Sequence, residues 1–249
     1  MEACNQHCLD LLAKRATVRA FDASRPLDDS LLDRLLTIAA QAPNTGNMQL
    51  YSVVVSRTPQ ELERLQKLHL GQPMAADCSA LLTFCADVSR FGRWCRLNNT
   101  ESGLENSHGM LLATIDATIF AQQFVAAAEI AGLGTCYLGT VTYNLEDFAN
   151  ELGLPQGVLP LFAVAVGWPA PGSRKMSDRL PLQAIVHRSK YHIPTDSEIR
   201  STYAPKEALP ENAQFIAQNG KENLAQVYAE VRYPRGLNEK ISEDLKKYF

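Results

Sequence analysis

The chain has 249 residues, 46% of them apolar, with 24 basic against 27 acidic side chains and a formal charge of −3. That is enough apolar material for one large core, or one domain with an extension. The slight acidic balance argues against a broad nucleic-acid or anionic-membrane binder, which needs a basic surplus.

The opening MEACNQHCLDLL has an acid at Glu2 and no long apolar run, unlike a signal peptide, and points to a cytosolic protein. In that compartment the six cysteines are expected as thiols, with Cys85 and Cys136 buried and inert in strand-like runs. Residues 3–13 read as a short helix. Cys4, His7 and Cys8 share one of its faces at zinc-ligand spacing, but no paired motif supplies a fourth ligand, so no metal site is expected. KRATVRAF follows, Lys14 to Phe21, crowding Lys14, Arg15 and Arg19 into six residues. Such a cluster is either solvated or an anion site.

SRPLDDSLLDRLLTIAAQAP predicts a second helix, capped by Ser30 or an adjacent Asp and stopped by Pro43. LYSVVVSR is a β-branched strand, PQELERLQKLHL an amphipathic helix and ALLTFCAD a second, buried strand. Residues 88–108 are polar and mixed, and are expected to be irregular. The segment 109–134 is the most apolar, long enough to span a bilayer. Asp116 and Glu129 fall inside it, and an acid at a bilayer centre costs about 2.5–3.5 kcal/mol. A soluble helix buried on nearly every side is the expectation, at or near the twofold axis of an obligate dimer. TCYLGTV then reads as a strand, NLEDFANELGLP as a helix with Asn144 at its cap, and VLPLFAVAVGWP as another strand. APGSRKMSDRLP is a loop with three basic residues. From residue 191 onward 17 of 59 residues are charged, against 20% for the chain. Residues 239–249 are helical in pattern, and such a tail packs on a finished body or a partner subunit.

No G-x-G-x-x-G, G-x-x-x-x-G-K-[ST] or G-x-S-x-G motif occurs, and no two of the five histidines stand at i, i+4. What remains is cationic and amide-rich loops at distant points, a pattern suited to a protein whose cofactor carries the chemistry.

Four of these segments, in order and in register over roughly residues 5–190, resemble the nitroreductase family of FMN enzymes, with its NADPH-linked nitroreductases and flavin reductases as the closest branch. KRATVRAF resembles the family's Arg-x-Ser/Thr-x-Arg/Lys-x-Phe opening, and APNTGNMQ its loop ending in Asn-x-Gln. GLGTCYLG resembles the Gly-Leu-Gly segment before the flavin-facing strand, and VLPLFAVAVGWPAPGSRKMSDRLP the closing strand and Arg-Leu-Pro loop. The resemblance implies an α+β fold, a central, mainly antiparallel sheet flanked by helices. It implies an intertwined homodimer with two FMN sites at the subunit interface, residues 1–190 forming the FMN-binding domain and 191–249 an extension.

The resemblance also implies roles. Arg15, Thr17 and Arg19 would hold the FMN phosphate, with Ala16 contributing only backbone. The planar guanidinium fork suits two phosphate oxygens. Arg179 would complete the clamp. Ser177 stands where the family often has lysine, and Lys175 would substitute. Asn44, Thr45 and Gln49 would donate to the ribityl chain or ring edge, and Gln72 would reach the flavin. The backbone from Tyr137 through Leu138 and Gly139 to Thr140 would face the ring near N5, Gly139 permitting close approach. Arg232 and Arg235, the latter followed by Asn238, resemble the tail that grips the NADPH 2′-phosphate, although a tryptophan expected shortly afterwards is missing. The implied activity is reduction of nitroaromatics, quinones or free flavin by NADPH or NADH. The donor gives hydride to FMN N5 and leaves, and a small-molecule electron acceptor takes its place, so kinetics are ping-pong and no side chain acts as acid or base. Reductive dehalogenation and flavin fragmentation on the same fold, or a non-catalytic flavin carrier or sensor, stay open at this point.

Overall fold

The computed structural model describes residues 2–248, excluding the side chains of residues 2–5 and 7, so the zinc-spaced pair Cys4 and His7 lies outside the described side chains. Among the described residues no cluster of His, Cys, Asp and Glu could hold a metal ion. The chain forms two compact units, Met1–Met176 with Asp244–Phe249, and Ser177–Glu243.

The first unit contains helices α1 (Glu2–Ala13), α2 (Asp29–Ala39), α3 (Pro59–Leu68), α4 (Met74–Asp77), α5 (Ser89–Leu97), α6 (Ser107–Ile130) and α7 (Leu145–Leu152). Its strands are β1 (Tyr51–Ser56), β2 (Ala80–Asp87), β3 (Gly134–Leu138) and β4 (Val158–Gly167), in one sheet of order β1-β2-β4-β3. Every pairing is antiparallel. β2 is central and buried along its whole length, which is why ALLTFCAD reads as a continuous apolar run rather than an alternation. A bulge between Phe84 and Cys85 accommodates Pro160 in β4, which has no N–H to give the ladder.

α6 covers one face of the sheet together with α2. Phe120, Phe124, Ala121 and Ala128 pack there against Phe84, Val164 and Leu35. α3, α4 and α7 supply the core on the other face. The terminal residues Leu245 and Tyr248 join a third cluster around Leu50, Met110 and Leu159.

The helix boundaries have local causes. Thr58 and Glu61 form a reciprocal capping box before α3, with Pro59 in its first turn. α3 stops at Leu68, two residues before the expected end, because Leu70 (φ 58°) and Gly71 (φ 72°) turn left-handed. The α2 cap is Asp28, whose carboxylate accepts the Ser30 N–H at 2.8 Å. The expected strand 135–141 ends at Leu138 and tightens into a 3-10 turn over Gly139–Tyr143.

Residues 88–108 are irregular only over 98–106. They contain α5, whose polar residues face outward while Gly92 and Cys95 are buried, a one-sided pattern hidden by Arg90, Arg93 and Arg96 and by the Asn98-Asn99 pair that follows. Within one chain α6 is not buried on every side. Leu111, Ile115, Ile119 and Ile130 form an exposed apolar stripe, whereas Ala121 is fully buried in the core of its own chain. Cys78, Cys85, Cys95 and Cys136 are buried free thiols, and burial pushes Cys85 up to about 12.

The second unit contains α8 (Asp196–Glu207), α9 (Pro210–Gln218), α10 (Leu224–Gln226) and most of α11 (Arg235–Leu245). Leu224 and Val227 are its buried centre, and Lys206 pairs with Asp178 at 2.9 Å.

Candidate functional site

The basic segment at 14–19 is an extended edge. Its burial alternates, with Ala16 and Val18 inside and Lys14 and Arg19 outside, the period of a strand. The Val18 N–H donates to the Thr135 carbonyl of β3 at 2.9 Å. Farther along, Asp22 N–H donates to Trp168 O at 2.8 Å and Ala170 N–H to Ala20 O at 3.0 Å. Gly134 makes this closeness feasible, since a Cβ there would stand 2.7 Å from Val18 Cβ. Arg15 is fixed by Glu129 of α6, Nε to Oε1 at 3.3 Å, and the same carboxylate oxygen accepts the Thr135 hydroxyl at 2.6 Å. Thr17 is half-buried, and Arg19 is exposed with no hydrogen bond or ion pair among the described residues.

Beyond Thr135, β3 carries Cys136, Tyr137 and Leu138. Burial raises the Cys136 thiol, opposed by the nearby charges of Arg19 and Arg15. Burial also pushes the Tyr137 phenol up to about 12, so it stays protonated at neutral pH. Its hydroxyl donates to Gln122 Oε1 of α6 at 3.4 Å. Nothing lies within 4 Å of where a Gly139 Cβ would be, so the strand ends beside open space.

Thr140 Oγ1 sits 2.7 Å from Nδ1 of His69, a ring with no exposed surface that burial lowers to about 4. Asn144 precedes α7 but does not cap it with its side chain, which instead donates to the Leu68 carbonyl at 3.0 Å. The turn Leu68–Gln72 is thereby tied to the turn after β3. The Gln72 side-chain amide makes no hydrogen bond among the described residues.

The loop 44–50 has its own anchor, the buried Asp116 of α6. Its Oδ1 accepts both the Thr45 N–H and the Thr45 hydroxyl at 2.9 Å, and Oδ2 accepts the Leu50 N–H at 3.4 Å. Asn44 Oδ1 accepts the Gln49 N–H at 3.2 Å. Gly46, Asn47 and Gln49 all have φ between 53° and 57°, a concentration of left-handed backbone that only outside contacts sustain. Arg90 of α5 is one such contact, donating to the carbonyls of Gln49 and Tyr51.

Within one chain, then, the basic segment docks on the start of β3, and the 68–72 turn is tied to the turn that follows the same strand. The 44–50 loop is held near the middle of α6, its anchor thirteen residues from Glu129, about 20 Å along the axis. Lys175 is exposed, and its neighbour Arg174 donates to the Gly132 and Leu133 carbonyls at 3.2 and 3.0 Å. Arg179 lies in the second unit and donates to Ser177 O at 3.2 Å and Asp178 O at 2.8 Å. There too, Arg232 stacks 5.1 Å from the Phe215 ring centroid, and Arg235 pairs with Glu239 at 2.7 Å on α11.

Sequence reasoning missed Asp116, Glu129, His69, Arg90 and Arg174 as supports. The first two had a visible signal, since an acid inside an apolar helix needs a partner to be buried. Chemically, the first unit offers cations, hydroxyls and amides beside open space, and no paired general acid and base. That donor set suits a ligand with an anionic end and a neutral, hydrogen-bonding body.

Residues 12–168 match the model of the nitroreductase family. The chain is similar to the FMN reductase (NADPH) of Bacillus subtilis, 32% identical over 190 residues, 76% of each chain. A solved structure from Bacteroides fragilis is 44% identical, covers 96% of both chains and superposes with a TM-score of 0.92. The B. subtilis NfrA1 nitroreductase is 29% identical over 95% of this chain and 97% of that one, with a TM-score of 0.80. The chain belongs to the nitroreductase family.

Proposed function

We propose that this chain is an FMN-dependent oxidoreductase that draws on NADPH or NADH to reduce nitroaromatics, quinones or free flavin. The observation that carries the reading is the basic edge at 15–19, docked on the start of β3 with Arg19 unpaired among the described residues, while the far end of the same strand opens at Gly139. The similarity to a B. subtilis protein named FMN reductase (NADPH) supports it.

FMN would be held by Arg15, Arg19, Thr17 and the Ala16 backbone at its phosphate, with Arg179 and Lys175 added by the resemblance alone. Asn44, Thr45, Gln49 and Gln72 would donate to its polar edge, and the backbone of residues 137–140 would lie against the ring. When bound, FMN supplies a ring that accepts reducing equivalents from a nicotinamide and passes them on. The chain's part is to bind, orient and exclude water. Tyr137, protonated at neutral pH, is no base, and the buried neutral His69 reaches no solvent. The protein backbone N–H groups near Gly139 would steady negative charge on the ring.

A homodimer belongs to the same proposal. The exposed stripe Leu111, Ile115, Ile119 and Ile130 runs along α6, and a second copy would cover it. Residues 191–249 would extend the FMN domain onto the body or the partner subunit. Because Ala121 is core, Ile119→Glu is the informative substitution, and sedimentation should show the dimer lost. A variant that remains dimeric would remove this face from the interface.

Purified protein should be yellow, and NADPH without oxygen should bleach it. Double-reciprocal plots against donor and acceptor should be parallel. Colourless protein that takes up no FMN would end the proposal, and intersecting lines would end the shared-face mechanism.

A further inference from the structure

His69 has no exposed surface, yet its Nε2 has no hydrogen-bond partner among the described residues. A ring nitrogen buried without a partner lowers stability, and an apolar side chain of similar volume would avoid that loss. The one hydrogen bond the ring makes is from Nδ1 to Thr140 Oγ1, at 2.7 Å. Its edge meets Phe148 of α7, centroids 4.8 Å apart, which fixes its orientation. Leu70 and Gly71 reverse the chain immediately afterwards, so the orientation of His69 also sets where Gln72 begins. One buried ring thus joins two turns that carry Gln72 and Thr140.

We propose that His69 is a positioning residue for the cofactor site, gripping Thr140 so that the turn after β3 and the Gln72 turn hold a fixed spacing. The role rests on the FMN reading above. An orphaned acceptor is less costly to bury than an orphaned N–H. The ring therefore carries its hydrogen on Nδ1 and leaves Nε2 bare. Thr140 then accepts from His69, and its own hydroxyl hydrogen is free for a ligand. His69 so converts Thr140 from a swivelling hydroxyl into a directed donor, without touching the cofactor.

The test compares His69→Leu, His69→Asn and Thr140→Val with the parent, reading thermal midpoint, FMN dissociation constant and the midpoint potential of the bound flavin. His69→Leu should melt at or above the parent temperature, yet bind FMN about threefold to tenfold more weakly, the loss of one neutral hydrogen bond, with a shifted potential. His69→Asn keeps an N–H close to the Nδ1 position and should restore most of the affinity. Thr140→Val should weaken FMN at least as much as His69→Leu, and the double variant should be no worse than Thr140→Val alone. A lower melting temperature with unchanged FMN affinity and potential would make His69 purely structural and overturn the role. So would an asparagine variant no better than leucine. Should His69→Leu not fold, unchanged FMN affinity in Thr140→Val would still overturn it. A parent that binds no FMN would instead overturn the flavin reading, a distinguishable failure.

Discussion

Arg15 and Arg235 each pair with a glutamate, at 3.3 and 2.7 Å, and the shorter pair is the weaker one. Arg235 meets Glu239 one helical turn away with 92% of its side chain exposed, so water competes for both charges. Arg15 meets Glu129 from a different element, the two side chains 24% and 8% exposed, and Glu129 also holds Thr135. The first pair decorates a helix that would form without it. The second fixes a strand edge against the sheet. Burial and the origin of the partner, rather than distance, separate a fastened cation from a solvated one.

Glu129→Ala is the severest challenge to that contrast. It leaves Arg15 part-buried without its counter-charge and Thr135 without an acceptor, and should lower stability by about 3 kcal/mol. FMN affinity should fall at least tenfold as the 15–19 edge loosens, read by denaturant unfolding and flavin titration. Equal stability in parent and variant would erase the distinction from Arg235–Glu239.

The same contrast applies to histidines. His192 is exposed beside Glu198, while burial pushes His69 from 6.5 down to about 4. Unfolded His69 binds a proton below about 6.5 and the folded ring resists it until about 4, so stability present above pH 6.5 is lost as pH falls through that window. The loss approaches the order of 3 kcal/mol. Unfolding of the parent at pH 7 and pH 4.5 should differ by more than in His69→Leu, which has no ring to protonate. Matching slopes would contradict the buried assignment.

Arg19 sharpens the comparison from the other side, as a cation with no internal partner. Arg19→Ala should leave stability within about 0.5 kcal/mol and weaken FMN tenfold or more through lost charged hydrogen bonds. The discrimination between FMN and riboflavin should shrink with it. Unchanged selectivity would remove Arg19 from the phosphate.

Smallest is Arg235→Ala. Its surface pair contributes about 0.3–0.5 kcal/mol, so stability should barely move. If Arg235 reads the nucleotide's extra phosphate, the Michaelis constant for NADPH should rise roughly fivefold to thirtyfold and that for NADH should hold. Equal effects on both would assign Arg235 to the surface.

Much of the fold was legible because strands and helices here follow local patterns. The runs at 51–56, 80–87 and 158–167 are β-branched or apolar, and the helix over 107–130 is unmistakable by composition. α5 was not, because two of its apolar residues, Trp94 and Leu97, face solvent and one of its buried positions is a glycine. The strand after Gly134 was read too long, since Gly-Thr-Val-Thr-Tyr continues a β-like composition while the backbone tightens. At the site, residue types with an intrinsic ligand chemistry stood out, Arg15 and Arg19 above all. Their supports did not, because Asp116–Thr45 spans 71 positions and no local pattern encodes such a pairing. Asp116 and Glu129 counted only as arguments against a membrane helix, although the same burial cost required each to have found a partner.

The 15–19 edge and the 44–50 loop each hang from a carboxylate of α6, and the bonds within the second, such as Asn44 to Gln49, span only a few residues. In folding, the chain ends closing on Asp116 and Glu129 gain nothing until that helix has docked on the sheet, so loop closure comes late and at an entropic cost that local contacts cannot offset. A refolding chain should therefore regain helix and sheet before it can bind any ligand at all, and competence to bind becomes a clock for the last step of assembly rather than a spectator of it.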